Sequence, residues 1–332
     1  MKTRIIVDAM GGDNAPFSMV KGAVDGALAY GADLIFVGNK PEIEEILKTL
    51  PTSSLDIKVV HTDVWVEMSD PPTSVKKEKR GSSVAISCDL LNDGEGDVLI
   101  SSGNTGALFT AATLFIRKLK GVRRSALGAV INLENPFILV DSGANIEVTP
   151  EILTQFAYMG SLYCRYMMKI ENPRVALINN GAEETKGTGL YRETHALLKQ
   201  TGLNFVGNCE TRDLANNFCD VAVCDGFVGN ITLKAIEGMG QFIIRNFKEI
   251  YGKNAFSKLS YLLIKNNIAG FKKQIDHREY GGAPFLGISK PVIKSHGSAD
   301  PKSIMSTIKQ ARDYHQSGLN EKIAEGVANW GK

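Results

Sequence analysis

The chain has 332 residues, and its 38 basic and 36 acidic residues give a formal net charge of +2. This near balance argues against a general affinity for nucleic acid or another polyanion. No apolar run approaches the length of a membrane span, and the run at residues 5–7 is too short for a signal peptide, so we expect a cytosolic protein. The five cysteines form no CxxC pair and the five histidines are scattered, which predicts reduced, mostly buried thiols and no metal site.

Strands and helices alternate along most of the chain. The first part predicts a strand at 5–7, a helix over 17–30, a strand over 33–38, a helix over 41–50 and a strand over 57–61. Further helices are predicted near 83–92, 105–119, 150–168, 188–201 and 229–250, followed by a strand at 291–295 and a final helix from Pro301. This alternation predicts a three-layer α/β/α fold, which we assign to a single domain over residues 1–332.

Two stretches interrupt the alternation. Residues 67–83 contain a proline loop and four close positive charges, Lys76, Lys77, Lys79 and Arg80, which form either a solvated helix face or a surface for an acidic partner. Residues 250–278 predict a protruding helical hairpin with five lysines and no acid between 253 and 275. Its apolar residues, Leu259, Leu262, Leu263, Ile264, Ile268 and Phe271, suit an arm in a homodimer interface, a membrane-surface element, or both.

Five predicted strands end in turns made of Gly with Asp, Asn or Ser. These turns are residues 8–13, 101–106, 141–145, 179–181 and 224–230. In an open α/β sheet the ligand crevice lies at the carboxyl ends of the strands, so we expect these turns to converge on one site. Backbone N–H groups at glycine turns and helix N-termini suit an anion, although each turn could simply connect a strand to a helix. Lys186 lies in one such loop and is either functional or an ordinary exposed lysine.

The motifs of several enzyme classes are missing from the sequence. The first strand is not followed by G-x-G-x-x-G, no serine lies in G-x-S-x-G, and no Cys/His or Ser/His pair is evident. The chain offers anion-binding turns, carboxamides that can donate hydrogen bonds, and isolated cations. These groups suit a bound phosphate that reacts with a polarised carbonyl without a covalent enzyme intermediate.

Seven segments together resemble the PlsX family of bacterial phosphate acyltransferases. They are 8–13 (DAMGGD), 102–107 (SGNTGA), 141–145 (DSGAN), 186–187 (KG), 225–230 (DGFVGN), 280–283 (YGGA) and 296–298 (HGS), in order over nearly the whole chain. One departure is Asn14, where the family usually carries His. This substitution argues against any role that requires an imidazole at that position.

The resemblance implies an enzyme that transfers a fatty acyl group from acyl carrier protein to inorganic phosphate, without a cofactor, for phospholipid synthesis. It also implies a mostly parallel, mixed sheet like that of isocitrate and isopropylmalate dehydrogenases, and a homodimer. The enzyme would associate with the inner face of the cell membrane and deliver its product to a downstream membrane acyltransferase. The basic patch at 76–80 and the lysines of 253–273 are alternative docking surfaces for the acidic carrier protein.

By the same resemblance, Lys186 and Asn230 are the catalytic candidates. Lys186 would hold phosphate or offset charge, and Asn230 would donate to the oxyanion. The residues expected to bind phosphate or substrate are Asp8, Gly11, Gly12, Asp13, Gly103, Asn104, Thr105, Gly106, Asn145, Asp225 and His296. Two other functions remain open: a short-chain transacylase that uses coenzyme A, and a non-catalytic anion- or lipid-binding module.

Overall fold

The computed structural model describes residues 2–253, scattered positions between 256 and 270, and residues 281–329. Most of the predicted hairpin lies outside these residues, including Leu259, Leu262, Leu263 and Phe271, whereas Ile264 and Ile268 are helical and half-buried. Within the described ranges, every helix falls short of the combined length and apolarity that a bilayer crossing requires.

Eleven strands in the described part of the chain form one sheet, in the order β3-β2-β1-β4-β11-β10-β5-β6-β9-β7-β8. The strands are β1 (Thr3–Asp8), β2 (Ala32–Gly38), β3 (Ile57–His61), β4 (Val98–Ser101), β5 (Ala126–Asn132), β6 (Pro136–Val140), β7 (Val175–Ile178), β8 (Phe205–Cys209), β9 (Val221–Val223), β10 (Ala283–Leu286) and β11 (Val292–Lys294).

The sheet contains two parallel groups that run in opposite directions. The first group is β3, β2, β1, β4 and β11, and the second is β6, β9, β7 and β8. Between them, β10 pairs antiparallel with β11 and β5, and β5 pairs antiparallel with β6. Each antiparallel pairing reverses the strand direction, and after three such reversals the second group runs opposite to the first. The predicted mostly parallel, mixed sheet is therefore confirmed.

Helices cover both faces of this sheet. In residues 2–253 and 281–329 the α-helices are α1 (Phe17–Tyr30), α2 (Lys40–Leu47), α3 (Ser83–Asn92), α4 (Thr105–Ala111), α5 (Pro150–Tyr166), α6 (Gly189–Lys199), α7 (Gly226–Gly252), α8 (Pro301–Ser317) and α9 (Leu319–Asn329). Ile5 and Val7 of β1 pack in the core beneath α1 and α8, whereas Ile6 packs in the core beneath α3 and α4. Because alternate residues of a strand point to opposite faces and both sets are buried, the fold has three layers.

Several predicted boundaries agree closely with the observed elements, and others do not. The first helix covers the predicted residues, and Gly31, which has a φ of 74°, terminates it after Tyr30. The helix predicted over 105–119 is shorter: α4 ends at Ala111, and a π-helical turn continues it only to Ile116. Strands β5, β8 and β10 were not predicted. The sequence-based prediction therefore lacked two strands in the middle of the sheet, β5 and β10, and the edge strand β8.

Candidate active site

A cleft with polar and apolar lining residues lies where the two parallel groups of strands meet. Its volume is about 420 Å³. At the start of β10, Ala283 pairs with Lys294 at the end of β11, and at the end of β10, Leu286 pairs with Ala126 at the start of β5. Because β10 spans only four residues, the ends of β11 and β5 lie close together. The strand ends of both parallel groups therefore reach the same cleft. Turns after β1, β4, β6, β9 and β11 contribute Asp13, Thr105, Ser142, Gly143, Asn230 and His296 to its wall.

The turns after β1 and β4 are pressed against each other. A Cβ atom on Gly11 would lie 2.6 Å from the backbone nitrogen of Gly103, so only glycine fits there. The Ser101 hydroxyl donates to Asp8 Oδ2 over 2.6 Å and accepts from the Gly103 N–H over 3.1 Å. Burial raises the pKa of the Asp8 carboxyl, and the hydrogen bond from Ser101 only partly offsets this effect. Asp8 is thus a buried structural residue that stabilises the turn through Ser101, and it does not line the cleft.

Asn104 and its neighbours fix the loop after β4. The Asn104 side-chain oxygen accepts from the Ala107 N–H over 3.0 Å and thereby caps α4. Its Nδ2 donates to the carbonyl oxygens of Asp70 and Met68 over 3.0 and 3.1 Å. Asn104 therefore ties the 67–70 loop to α4, and among residues 104–106 only Thr105 lines the cleft.

A buried aspartate shapes the turn after β6. Asp141 accepts hydrogen bonds from four backbone N–H groups, those of Leu127, Gly143, Ala144 and Asn145. Burial raises the pKa of its carboxyl, while these bonds act in the opposite direction. The Asn145 amide donates to Asp141 Oδ2 over 2.6 Å and to the Ser125 carbonyl oxygen over 2.7 Å. Asn145 is therefore a structural residue that holds Ser142 and Gly143 in the cleft wall.

The N-terminus of α7 places Asn230 at the cleft. Asp225 caps the helix, because its Oδ1 accepts from the N–H groups of Phe227 and Val228 over 2.8 and 2.9 Å. A Cβ atom on Gly229 would overlap the carbonyl oxygen of Asp141, so this glycine permits the close approach of helix and turn. Asn230 follows directly. Its side chain lies against Gly143, is exposed to the cleft, and makes no hydrogen bond within the described part of the chain.

Lys186 lies elsewhere. Its loop borders a second cavity, of about 550 Å³, which is lined by Asn179, Asn180, Gly187, Thr188, Tyr191, Thr211 and Val228. The Lys186 N–H donates to the Glu183 carbonyl oxygen over 3.1 Å, and its side chain is exposed. Because Val228 belongs to the first turn of α7, the two cavities flank the same helix terminus. The structure does not bring Lys186 into the cleft with Asn230, and its catalytic role stays a prediction.

His296 lies in the loop that follows β11, and Asn14, from the turn after β1, hydrogen-bonds to that loop. The Nδ1 atom of His296 lies 3.2 Å from the Ser298 N–H, which donates to it, and 2.9 Å from the Ser298 hydroxyl. Asn14 donates from Nδ2 to the Ala299 carbonyl oxygen over 3.2 Å. Asn14 can therefore hold this loop without an imidazole.

The sequence-based prediction did not include two lysines of the cleft. Lys234 of α7 forms an ion pair with Glu237 over 2.7 Å. Lys294 at the end of β11 is only 8% exposed, and burial lowers its pKa to about 8. The sequence signal was weak: Lys294 directly follows the apolar residues Val292 and Ile293, but a lysine at the end of a strand is usually exposed. No group of three or more His, Cys, Asp or Glu side chains in the described ranges is arranged to hold a metal ion.

The fold defines a class of α/β proteins that includes transacylases and dehydrogenases. A phosphotransacetylase from Streptococcus pyogenes superposes with a TM-score of 0.65 at 15% identity, over 95% of this chain and 94% of the other. A 4-hydroxythreonine-4-phosphate dehydrogenase from Klebsiella pneumoniae superposes with a TM-score of 0.53 at 14% identity, over 95% and 98% of the two chains. At these identities the likeness concerns the fold alone.

Sequence comparison identifies the family within that class. A family model described as "Fatty acid synthesis protein" matches residues 3–322. The phosphate acyltransferase of Alkaliphilus oremlandii (strain OhILAs) is 40% identical over 329 residues, which are 99% of this chain and 98% of the relative. The phosphate acyltransferase of Thermoanaerobacterium thermosaccharolyticum is 42% identical over 310 residues, 93% and 92% of the two chains. The chain therefore belongs to the phosphate acyltransferase family and is an acyltransferase, which confirms the resemblance seen in its motifs.

Proposed function

We propose that this acyltransferase moves a fatty acyl group from acyl carrier protein to inorganic phosphate, and that the acyl phosphate serves phospholipid synthesis. The observation that carries the proposal is the mixed lining of the cleft. It combines the polar residues Lys294, Ser295, His296 and Thr105 with the apolar residues Leu127, Ala129, Val130 and Leu233. A phosphate and the adjoining methylene groups of an acyl chain would thus have matching surfaces in one cavity.

The reaction we propose is direct attack. A phosphate oxygen forms a bond to the thioester carbonyl carbon, and the resulting tetrahedral oxyanion collapses by breaking the carbon–sulfur bond. The thiolate of the carrier leaves and takes a proton from the medium. Asn230 has an amide N–H₂ without a partner in the described structure and would donate to the oxyanion. The thioester substrate and the acyl phosphate product are both activated acyl groups, so the protein supplies mainly positioning and electrostatic stabilisation.

Carrier docking would use the exposed part of the basic patch at 76–80. Arg80 forms two hydrogen bonds to Asp89, of 2.7 and 2.9 Å, and lies over the ring of Phe115. Lys79 lies 3.3 Å from Asp70. Lys76 and Lys77 are exposed, and the described residues contain no ion pair for either. We therefore favour these two as contacts for an acidic carrier, with the lysines of 253–273 as the alternative surface.

Membrane association and delivery of the product to a membrane acyltransferase complete the proposal. Each Lys near an anionic surface contributes about 1 kcal/mol, and full burial of a Leu side chain contributes roughly 1.5 to 3 kcal/mol. Leu263→Glu would release the protein from anionic liposomes if the hairpin is the attachment site. Liposome flotation tests this, and an undiminished bound fraction for the variant would remove Leu263 from the attachment surface.

A short-chain transacylase that uses coenzyme A is the second candidate, because the fold is shared with phosphotransacetylases. One experiment separates the two. The protein is incubated with phosphate and acyl donors of increasing chain length, carried either on acyl carrier protein or on coenzyme A, and acyl phosphate is trapped as hydroxamate. Samples without phosphate correct for direct reaction of the thioester. We expect phosphate-dependent product with long chains on the carrier protein. Product from short acyl-coenzyme A alone would favour the second candidate.

A further inference from the structure

Lys294 has an incomplete set of hydrogen-bond acceptors at the wall of the cleft. Its Nζ donates to the Ser102 carbonyl oxygen over 3.1 Å and to the Ser295 carbonyl oxygen. A protonated lysine carries three donors. The third has no acceptor within the described residues, and the side chain lines the cleft. The ammonium group is therefore fixed by two backbone carbonyls and retains one donor for a ligand.

The charge of Lys294 is also uncompensated at short range. No carboxylate of the described chain lies within 4.0 Å of its Nζ, although the residue is only 8% exposed. Burying an ammonium group is costly unless an anion pairs with it. Asp8 and Asp13 favour its charged form through longer-range attraction, and Lys234 opposes it. An anion bound in the cleft would supply the missing partner and the missing acceptor together.

We propose that Lys294 is a phosphate-binding residue of the cleft, which holds the acceptor phosphate beside the apolar wall that receives the acyl chain. This inference rests on the proposed function, because it assigns a site to the acceptor of that reaction. It also gives the cleft a cation of its own, independent of Lys186. The ammonium group of a lysine acts as a point charge and donates charge-assisted hydrogen bonds to phosphate oxygens. One well-placed ammonium group is therefore sufficient to contact a phosphate.

The proposal predicts a pH dependence of phosphate affinity. The groups that face Lys294 are Asp8 and Asp13 from the β1 end, Lys234 from α7, and His296 from its own loop. Burial lowers the pKa of Lys294 to about 8, so the free protein loses this charge as the pH rises through that value. Affinity for a ligand falls in proportion to the competent fraction, which decreases about tenfold for each pH unit above the pKa. Wild-type protein should therefore bind an anion of constant charge, such as sulfate, about tenfold more weakly at pH 9 than at pH 7.

The test uses inorganic phosphate as the probe, in the absence of any acyl donor. Phosphate affinity is measured by calorimetry for the full chain and for Lys294→Met, which keeps the length of the side chain and removes the charge. Lys290→Met is the matched control, since Lys290 is an exposed lysine of the preceding loop. We expect Lys294→Met to weaken phosphate binding by about 10- to 100-fold and Lys290→Met to leave it unchanged. Circular dichroism and thermal melting establish that each variant is folded.

A second measurement does not depend on the folding of a variant. The affinity of the wild-type protein is measured from pH 7 to pH 9.5 for phosphate and for sulfate, whose own charge is constant over this range. A decrease for both anions above about pH 8 supports the lysine, and constant affinities overturn the proposal. A folded Lys294→Met variant with wild-type affinity also overturns it. If wild-type protein binds phosphate through Lys294 but yields no acyl phosphate from any donor, the proposed function fails and the anion site stands.

Discussion

Many polar residues at the strand ends use their hydrogen bonds to hold the wall of the cleft. Asp141 accepts from four backbone N–H groups, Asp225 caps α7, and Asn145 bonds to Asp141 and Ser125. A phosphate-binding role for Asn145 or Asp225 would require breaking these bonds. Asn230 differs, because its amide is exposed to the cleft and has no hydrogen-bond partner among the described residues.

Asn230→Ala should separate activity from stability. Removal of one oxyanion donor typically lowers turnover by about 10²- to 10³-fold. The melting temperature should stay nearly constant, since the exposed side chain makes no described hydrogen bond. Asn145→Ala is the comparison. It removes the hydrogen bonds that the Asn145 amide donates to the Asp141 carboxylate and the Ser125 carbonyl oxygen in a buried site, so the melting temperature of this variant should fall clearly. Steady-state kinetics and thermal melting on both variants provide the readout, and a folded Asn230→Ala enzyme with near-normal turnover would refute the assignment.

Two glycines of α7 should respond in opposite ways to the same substitution. Gly229→Ala places a methyl group on the Asp141 carbonyl oxygen and should destabilise the fold by at least about 1 to 3 kcal/mol. Gly238→Ala meets nothing within 4 Å and should stabilise the exposed helix by about 0.5 to 1 kcal/mol. Chemical denaturation gives both free energies of unfolding. A stable Gly229→Ala protein would show that helix and turn can move apart.

At the scale of elements, α7 has two different surfaces. Its first turns contribute side chains to the cleft, and from its first turn to its last it also exposes a row of apolar side chains. The members of this row are Phe227, Ile231, Met239, Phe242 and Ile250, each at least half exposed. A row of exposed apolar side chains along a long helix is typical of an interface. This row supports the homodimer that the family resemblance implies, through a surface that the hairpin prediction did not include.

Phe242→Glu should therefore dissociate the proposed dimer. The new carboxylate would be desolvated at the centre of the row, which costs more than the interface can recover from this position. Gln241→Glu adds the same charge on the neighbouring face and should leave the assembly intact. Multi-angle light scattering over a range of concentrations measures the mass of each variant. A Phe242→Glu protein with the same mass as wild type would place any dimer interface elsewhere.

The predictability of the elements depended on local signals. The first helix and the strand-turn-helix units have glycine, proline or capping residues at their ends, so the sequence indicated them with good boundaries. Strands β5 and β10 lie antiparallel between the two parallel groups and are followed by no such unit. Their positions depend on partners far away in the chain. The sequence therefore predicted the layers and missed the middle strands that join them.

The site was harder to predict from the sequence, because the same residue pattern is compatible with more than one role. An Asp after a buried strand can cap a helix or bind a ligand, and the two roles have one sequence signature, as Asp225 demonstrates. Five turns were expected to converge. The turns after β1, β4, β6 and β9 do so, whereas the loop after β7, which carries Lys186, faces a separate cavity. Lys294 was not predicted because the burial of a single lysine depends on the whole sheet.

At the scale of the molecule, the buried side chain of Gln310 forms hydrogen bonds that connect the two parallel groups of strands. Gln310 of α8 accepts from the Gly282 N–H over 2.7 Å and donates to the Gly282 carbonyl oxygen over 2.9 Å. It also donates to the hydroxyl of Tyr163 in α5 over 3.1 Å, and burial raises the pKa of that hydroxyl to about 12. Helix α8 packs on α1 in the first group, whereas Tyr163 lies in the core of the second. Gln310 thus fixes β10 between them.

Gln310→Leu should lower stability and activity together. The substitution leaves the polar groups of Gly282 and Tyr163 without their partner, at about 1 to 3 kcal/mol for each buried group. Because Gly282 lines the cleft, turnover should fall in the same variant. Gln200→Leu, at an exposed glutamine, should change neither property. Melting temperature and turnover are measured side by side, and a Gln310→Leu enzyme with normal melting would contradict this role.

The order of strands also has a consequence for synthesis on the ribosome. Strand β11 lies between β4 and β10, yet it is translated after every other strand of the sheet, and its Val292 pairs with Leu99. Until residues 283–294 emerge, β4 and β5 each present an edge without its neighbour at the centre of the sheet. Such open edges attract other chains, and pairings between distant residues form slowly. A nascent chain interrupted before residue 283 would therefore be prone to aggregation and would lack Lys294, so the cleft is completed only in the last stage of translation.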